Sequence, residues 1–381
     1  MASPTDILRT SFERVSSNVA TPIVIIPDIA NRIEDVCRAI SNRACVRVLL
    51  ACSLAKIHNP AIDIRKPYTK IGTPDAYPGR TYDERYIQPF IIEHHLPCNP
   101  TTAWLTPAFR NRDTTLTPDV DLVGRPPQIY TATLQLLTDV YEGRITAEDL
   151  LLETIKRLIQ IKDEKLQRMN MLFGALKLST STIPLSTENV VTLIEQHLRS
   201  PNASRLPVLA VAAAYEAARD FLGEKALVLE GHNAADKQTH SLGDIQIVLV
   251  GDTNVVTVYE MKAKKVTQND IDVALQKIAY KIDNYIIITT EAIDEQVKMY
   301  ASNLYVKTGG IEFAILDCIA FVRHFLHLFH RIRINYLEAY QRLLLEEPDS
   351  AVRQSLKESF LALRLAAETA YTSDENYEPK E

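Results

Sequence analysis

The sequence predicts an α/β protein: a mixed β-sheet core flanked by helices over residues 201–320, a mainly helical N-terminal domain over 1–200, and a helical C-terminal unit over 321–381. Three observations predict it. Helical periodicity dominates the first two hundred residues, interrupted by one irregular stretch. After the turn cluster Ser200-Pro201-Asn202 the pattern changes to short β-rich runs alternating with helices. Beyond Asp317 an apolar helical period returns.

The chain has 381 residues, of which 46% are hydrophobic, enough for two or three domains with sizeable cores. No apolar run approaches the roughly 18 residues of a membrane span. The N-terminal MASPTDILRTSFERV lacks the apolar core and cleavage site of a signal peptide, so a cytoplasmic protein is expected. The five cysteines, Cys37, Cys45, Cys52, Cys98 and Cys318, are an odd number without CxxC spacing and read as free thiols, mostly in the core. The net charge of -6 does not exclude a polyanionic partner, because charge acts locally. Residues 346–381 hold nine acidic and four basic side chains, which leaves only -1 on the other 345 residues.

Along the first half, IANRIEDVCRAI and RACVRVLLACSLAKI read as two helices separated at Ser41-Asn42. Periodicity then disappears from Asp63 to Gln128, where an ordered, loop-rich surface is expected. It returns in YTATLQLLTDVYEG, and Thr146 with Asp149 forms a capping-box pattern that opens a long helix through Leu176. A further helix is expected over 187–199.

The second half reads as a helix over 207–222 closed by Gly223, then strands at 225–230, 244–250 and 255–262. A helix at 268–282, a strand at 285–289, a helix at 291–305 and a strand at 311–316 complete an αβββαβαβ order. Helices follow to Leu345 and over 349–371, and the last ten residues, TSDENYEPKE, are expected to be disordered.

The chemistry centres on SLGDIQIVLVGDTNVVTVYEMKAKK. Asp244 begins one strand, and Glu260 and Lys262 lie two apart near the end of the next, hence on one face of a sheet. Hydrolysing a phosphodiester calls for a divalent cation, and carboxylates are hard-oxygen ligands suited to Mg2+. A hairpin turning at Gly251-Asp252-Thr253-Asn254 would bring Asp244 to Glu260. Simple counting conflicts with this: pairing Val250 with Val255 sets Asp244 opposite Met261, with the two carboxylates on opposite faces. A bulge or an irregular strand start that rotates Asp244 inward is therefore expected.

An Asp followed by Glu-x-Lys on adjacent strands after a helix resembles the core of the PD-(D/E)xK nuclease superfamily, with Gly243 where many members carry Pro. The resemblance implies a restriction-endonuclease-like fold in which Lys262 positions the attacking water and stabilises charge on the phosphate. It implies a metal role for Glu216 in the preceding helix, and a substrate-side role for Gln276 and Tyr280 as a QxxxY pattern. In the loop GHNAADKQTHSLGD, Asn233, Lys237 and His240, with His232, are placed to touch the scissile strand.

Residues 65–90 interleave Arg65, Lys66, Lys70, Arg80 and Arg85 with aromatic residues, and Arg110 and Arg112 continue the run. Such side chains can grip phosphates or read guanine. The segments LLACSLAKIHNPAIDIRKPYTKIG, GRTYDERYIQPFI and LPCNPTTAWLTPAFRN, with LVGRP, RMNMLFGAL and DCIAFVRHFLHLFHR, look like SacI-family restriction endonucleases. That resemblance implies a prokaryotic type II enzyme that cuts double-stranded DNA at a short palindromic site as a homodimer. A DNA methyltransferase is then its genetic rather than physical partner, and the C-terminal helices are candidates for dimerisation. Two other classes are open to the same residues: a DNA-binding partner protein with an inactive nuclease fold, and another metal-dependent phosphoesterase. Intact Asp244, Glu260 and Lys262 speak against the first, and the wide loop-rich surface against the second.

Overall fold

The computed structural model describes residues 2–17, 22–39, 44–99, 102–178, 184–227, 229, 242–278, 282 and 284–373. They form two units, Met1–Gln167 and Arg168–Glu381.

In the first unit the organising element is helix α3 (Ala44–His58), in which every residue from Ala44 to Ala55 is buried. A helix without a polar face has to be surrounded on all sides. Around it lie α1 (Pro4–Ser16), α2 (Pro27–Arg38), α4 (Gly79–Tyr82) and α6 (Pro127–Tyr141), and α5 (Gln88–Glu93) follows α4 in the chain. The long helix α7 (Ala147–Leu178) opens with the expected box, Thr146 Oγ1 accepting the Asp149 N–H at 3.0 Å. Its residues up to Ile161 join this core, whereas Met169, Leu172, Phe173 and Leu176 pack against the core of the second unit.

The stretch from Asp63 to Gln128 is mostly irregular, as expected, but contains a helical run. Residues 79–93 are continuously helical, with a π-turn at Asp83–Ile87 joining α4 to α5. The Gln88 N–H reaches back five residues to Asp83 O, which breaks the 3.6-residue phase, and Pro78 and Pro89 disguise the rest. The irregular segments are tied down by Tyr77 Oη donating to Ile64 O at 2.7 Å and Tyr68 Oη to Phe109 O at 2.9 Å.

A fully buried charged pair lies inside this core. Arg47 Nε donates to Asp83 Oδ1 at 2.8 Å with both side chains fully buried. Thr102 Oγ1 and the Ala103 N–H donate to Asp83 Oδ2. Burial pushes the Asp83 carboxyl pKa up, against the opposing pull of Arg47 and these donors.

The second unit is α/β, built on a five-stranded mixed open sheet in the order β1-β2-β3-β4-β5. Strands β1 (Glu224–Ala226), β2 (Ile245–Leu249) and β3 (Val255–Lys262) pair antiparallel. Strands β4 (Asn284–Thr289) and β5 (Glu312–Asp317) continue in parallel. Period-two alternation divides the sheet: Ile245, Ile247, Tyr259 and Ile288 face one core, and Val258, Tyr285, Ile287, Phe313 and Ile315 face another. The first core holds α8 (Thr187–Leu198) and α9 (Leu206–Leu222); the second holds α10 (Gln268–Ile278) and α11 (Glu295–Thr308). Helix α11 starts later than the sequence pattern indicates because Asp294 caps it, accepting from Gln296 N at 2.9 Å, and Gly309 ends it in the left-handed region.

Two boundaries differ from the sequence expectation. Helix α8 belongs with the sheet rather than with the N-terminal helices. Helices α12 (Cys318–Leu328), α13 (Arg333–Glu346) and α14 (Gln354–Ser373) likewise share a core with α8 and α9 instead of forming a unit of their own. His197 of α8 links them, its ring within 2.9 Å of both Tyr340 Oη and Leu356 O. Burial lowers its pKa to about 4, so the imidazole is neutral at pH 7, with Nε2–H donating to the carbonyl. Cys37, Cys45, Cys52 and Cys318 are buried free thiols, and Cys98 is half-buried. Among the described residues no helix is long and apolar enough to cross a membrane. Residues 374–381 lie outside the described chain.

The Arg47–Asp83 pair carries the first prediction. Arg47→Met leaves a carboxylate buried without its counter-ion, and urea denaturation should show a loss of about 3–5 kcal/mol. A loss below about 1 kcal/mol would mean that Arg47 is not the group compensating Asp83.

Candidate functional site

The β2–β3 hairpin determines where Asp244 lies. At its tip Gly251 has φ 94°, and Asp252 Oδ1 accepts the backbone N–H groups of Thr253 and Asn254. Val248 faces Val255, but Ile247 faces Thr257, so Val256 is an extra residue on β3. Pairing from the tip alone would run Asp244 toward Tyr259. The bulge advances the register so that Ile245 faces Tyr259, and Asp244, in the bend just before Ile245, reaches the Met261 N–H. The irregularity expected from the sequence is thus present, between Ile247 and Val248.

Asp244 stands just beyond the end of β2. Its Oδ2 accepts the Met261 N–H at 2.7 Å, in place of a backbone carbonyl of the ladder. Gly243 permits this approach: a Cβ there would lie 2.4 Å from Val258 Cγ1 and 2.7 Å from Tyr259 O. Burial is the largest influence on the Asp244 carboxyl and, with the charge of Glu260, raises its pKa; the Met261 N–H, Arg205 and Lys262 oppose the rise. Arg205, at the start of α9, is itself buried and paired with Glu347 at 2.8 Å.

Glu260 and Lys262 emerge on the same face of β3, Lys262 Nζ to Glu260 Oε1 at 2.7 Å. Burial works against the ammonium, yet the hydrogen bond and charge of Glu260, with Asp270 and Asp244, leave the Lys262 pKa above the ordinary lysine value. Lys262 is therefore a cation at neutral pH. Tyr285 Oη on β4 lies 3.4 Å from Glu260 Oε2. Helix α10 runs back over this face, opened by a Thr267–Asp270 box, with Lys264 Nζ 3.0 Å from Asp270. Two turns further on, Lys277 Nζ reaches within 4.0 Å of Glu260 Oε2.

The other expected site residues fall elsewhere. Gln276 is exposed, because Ile271, Ala274 and Ile278 define the buried side of α10 and Gln276 lies on the far side. Lys277, its neighbour, borders the buried side, a placement that follows from the helical period and not from the QxxxY pattern. Tyr285 gives no signal in a run of β-branched strand residues. Glu216 is exposed on α9 and pairs with Arg342 of α13, which also binds Glu346. Its neighbour Tyr215 meets Tyr259, Oη to Oη at 2.9 Å, on the face of β3 opposite Glu260. Tyr280, His232, Asn233, Lys237 and His240 lie outside the described residues.

Of the basic residues in the first unit, several are occupied in holding the fold. Arg65 pairs with Asp63 at 2.8 Å and stacks on the Tyr141 ring, 3.2 Å from its centroid. Lys66 pairs with Asp75 at 2.8 Å, and Arg112 Nε donates to Ala108 O. Arg80 is exposed and pairs with Glu84, while Lys70, Arg85 and Arg110 are exposed.

Among the described residues no group of three or more His, Cys, Asp or Glu side chains forms a metal cage. Magnesium does not require one, since it is commonly held by one or two carboxylates, with waters and substrate phosphates completing its shell. Two carboxylates near enough that the charge of one raises the pKa of the other fit a hard divalent cation. The sequence matches no protein-family model and no curated protein.

The raised Asp244 pKa sets a second prediction. The native value lies above the ordinary 3.8, so the stability contributed by this group is complete below pH 3.8 and is lost as pH rises through the native pKa. Near pH 7 without divalent cation, Asp244→Asn keeps an acceptor for Met261 N–H and removes the buried charge. It should melt higher than wild type, by about 2–4 °C for each kcal/mol relieved. Added magnesium should raise the wild-type Tm and leave that of the variant unchanged; a lower cation-free Tm for the variant would contradict the electrostatic account.

Proposed function

We propose that the chain is a magnesium-dependent endonuclease of the type II restriction class that hydrolyses phosphodiester bonds in double-stranded DNA. The observation that supports the reading is the end of the bulged β2–β3 hairpin, where the Met261 N–H holds Asp244 and Lys262 binds Glu260.

Asp244 and Glu260 would hold Mg2+, which when bound polarises a phosphate oxygen and acidifies a coordinated water. The Met261 N–H fixes the orientation of Asp244, and the opposing charges of Arg205 and Lys262 favour its ionised form. Lys262, permanently charged, offsets negative charge as it grows on the phosphate. Exposed Lys70, Arg85 and Arg110 suit phosphate or base contacts better than Arg65, Lys66 and Arg112, whose hydrogen bonds are used within the fold. Symmetric cutting of both strands is met most simply by a homodimer.

The test is incubation of sequence-diverse genomic DNA with magnesium and either wild type or Lys262→Ala. Wild type should give discrete fragments that EDTA abolishes, and the variant should cut roughly 10²–10³-fold more slowly. Equal cutting by the variant would show that the site is assigned to the wrong residues.

A further inference from the structure

Glu260 meets its neighbours through both carboxylate oxygens. Lys262 Nζ donates to Oε1 at 2.7 Å, while Tyr285 Oη lies 3.4 Å and Lys277 Nζ 4.0 Å from Oε2. The contact with Lys262 is built into the strand. Residues two apart along a strand stand about 6.7 Å from each other on one face. Pairing with β4 holds both backbones in place, Glu260 against Ile287 and Lys262 against Thr289. The side chains are largely shielded, 25% exposed for Lys262 and 19% for Glu260, so solvent screens the pair weakly. An ammonium and a divalent cation seeking the same carboxylate oxygen exclude each other by contact and repel each other by charge. The flexible four-carbon stem of lysine lets the Lys262 ammonium swing off Glu260 without moving β3.

We infer that Lys262 competes with the divalent cation for Glu260, so that the ammonium which serves the phosphate also sets how tightly the site takes its metal. This rests on the nuclease reading given above, in which Asp244 and Glu260 hold Mg2+. Competition has a direction that a merely structural role does not share. Replacing a residue that supports the site weakens metal binding, whereas replacing a competitor strengthens it. The effect is specific to the Glu260 contact. Lys264, two residues further on, has its ammonium 3.0 Å from Asp270 and its side chain 63% exposed, so it supplies a nearby charge of the same sign bound to a different acid.

The experiment titrates Mn2+ alone, without DNA, into wild type, Lys262→Met, Lys262→Arg and Lys264→Met, followed by isothermal titration calorimetry. Lys262→Met keeps most of the stem and removes the charge. It should bind Mn2+ more tightly than wild type by at least about fivefold, the lower end of the coupling found between linked sites. Lys262→Arg keeps the charge and should bind no more tightly than wild type. Lys264→Met changes the net charge equally and should shift the affinity far less, because solvent and salt screen that side chain. Adding Glu260→Gln to Lys262→Met should abolish the gain. Circular dichroism and thermal melting check folding; if Lys262→Met does not fold, Lys262→Gln is judged by the same criterion. Wild type that binds Mn2+, with Lys262→Met binding equally or more weakly, would overturn the inference alone. Equal gains in Lys262→Met and Lys264→Met would also overturn it, since they would reflect net charge. Absence of Mn2+ binding in both wild type and Lys262→Met would overturn the metal-site reading and the inference together.

Discussion

The candidate site depends on one hydrogen bond, from the Met261 N–H to the Asp244 carboxylate. It exists because Val256 is inserted into β3 and because Gly243 presents no Cβ to Val258 and Tyr259. Take away the bulge and alternation carries Asp244 out of line with Glu260, leaving two isolated acids on different faces. The backbone thus performs a task that side-chain identity cannot: it brings residues sixteen apart in sequence within reach of each other's charge.

That arrangement works against stability. Two carboxylates converge where burial already disfavours one of them, and among the described residues Glu260 draws in Lys262, Tyr285 and, at longer range, Lys277. Strain of this kind in an otherwise well-satisfied sheet is characteristic of functional positions, where charge is assembled ahead of a ligand that completes it. The Arg47–Asp83 pair in the first unit makes a useful contrast. There the acid is enclosed by a bidentate set of donors, with no second carboxylate opposing it, and the arrangement serves to join α3 to the helical run at residues 79–93.

Much of the fold was legible because local chemistry and pattern agree. Gly223 and Gly309 end their helices with positive φ, and the Thr146–Asp149 box starts another, as does Thr267–Asp270. Period two in residues 255–262 placed Glu260 and Lys262 together. The position of the bulge was not legible, since Val-Val-Thr-Val offers uniform β-propensity and only the tip geometry selects which valine is extra. The partner of Glu216 was hidden for a different reason: Arg342 lies on a distant helix, and an ion pair between such elements leaves no trace in spacing. Composition likewise cannot separate an arginine free to meet DNA from Arg65, which Asp63 and Tyr141 already engage.

The central claim is that Asp244 and Glu260 share one cation. Titration of the protein with Mn2+, followed by paramagnetic broadening of backbone amide resonances, tests it most directly. The account predicts that Met261 and the residues adjoining Asp244 and Glu260 broaden first, and that Glu260→Gln abolishes the effect. Broadening centred on Glu216 and Arg342, or unaffected by Glu260→Gln, would contradict it.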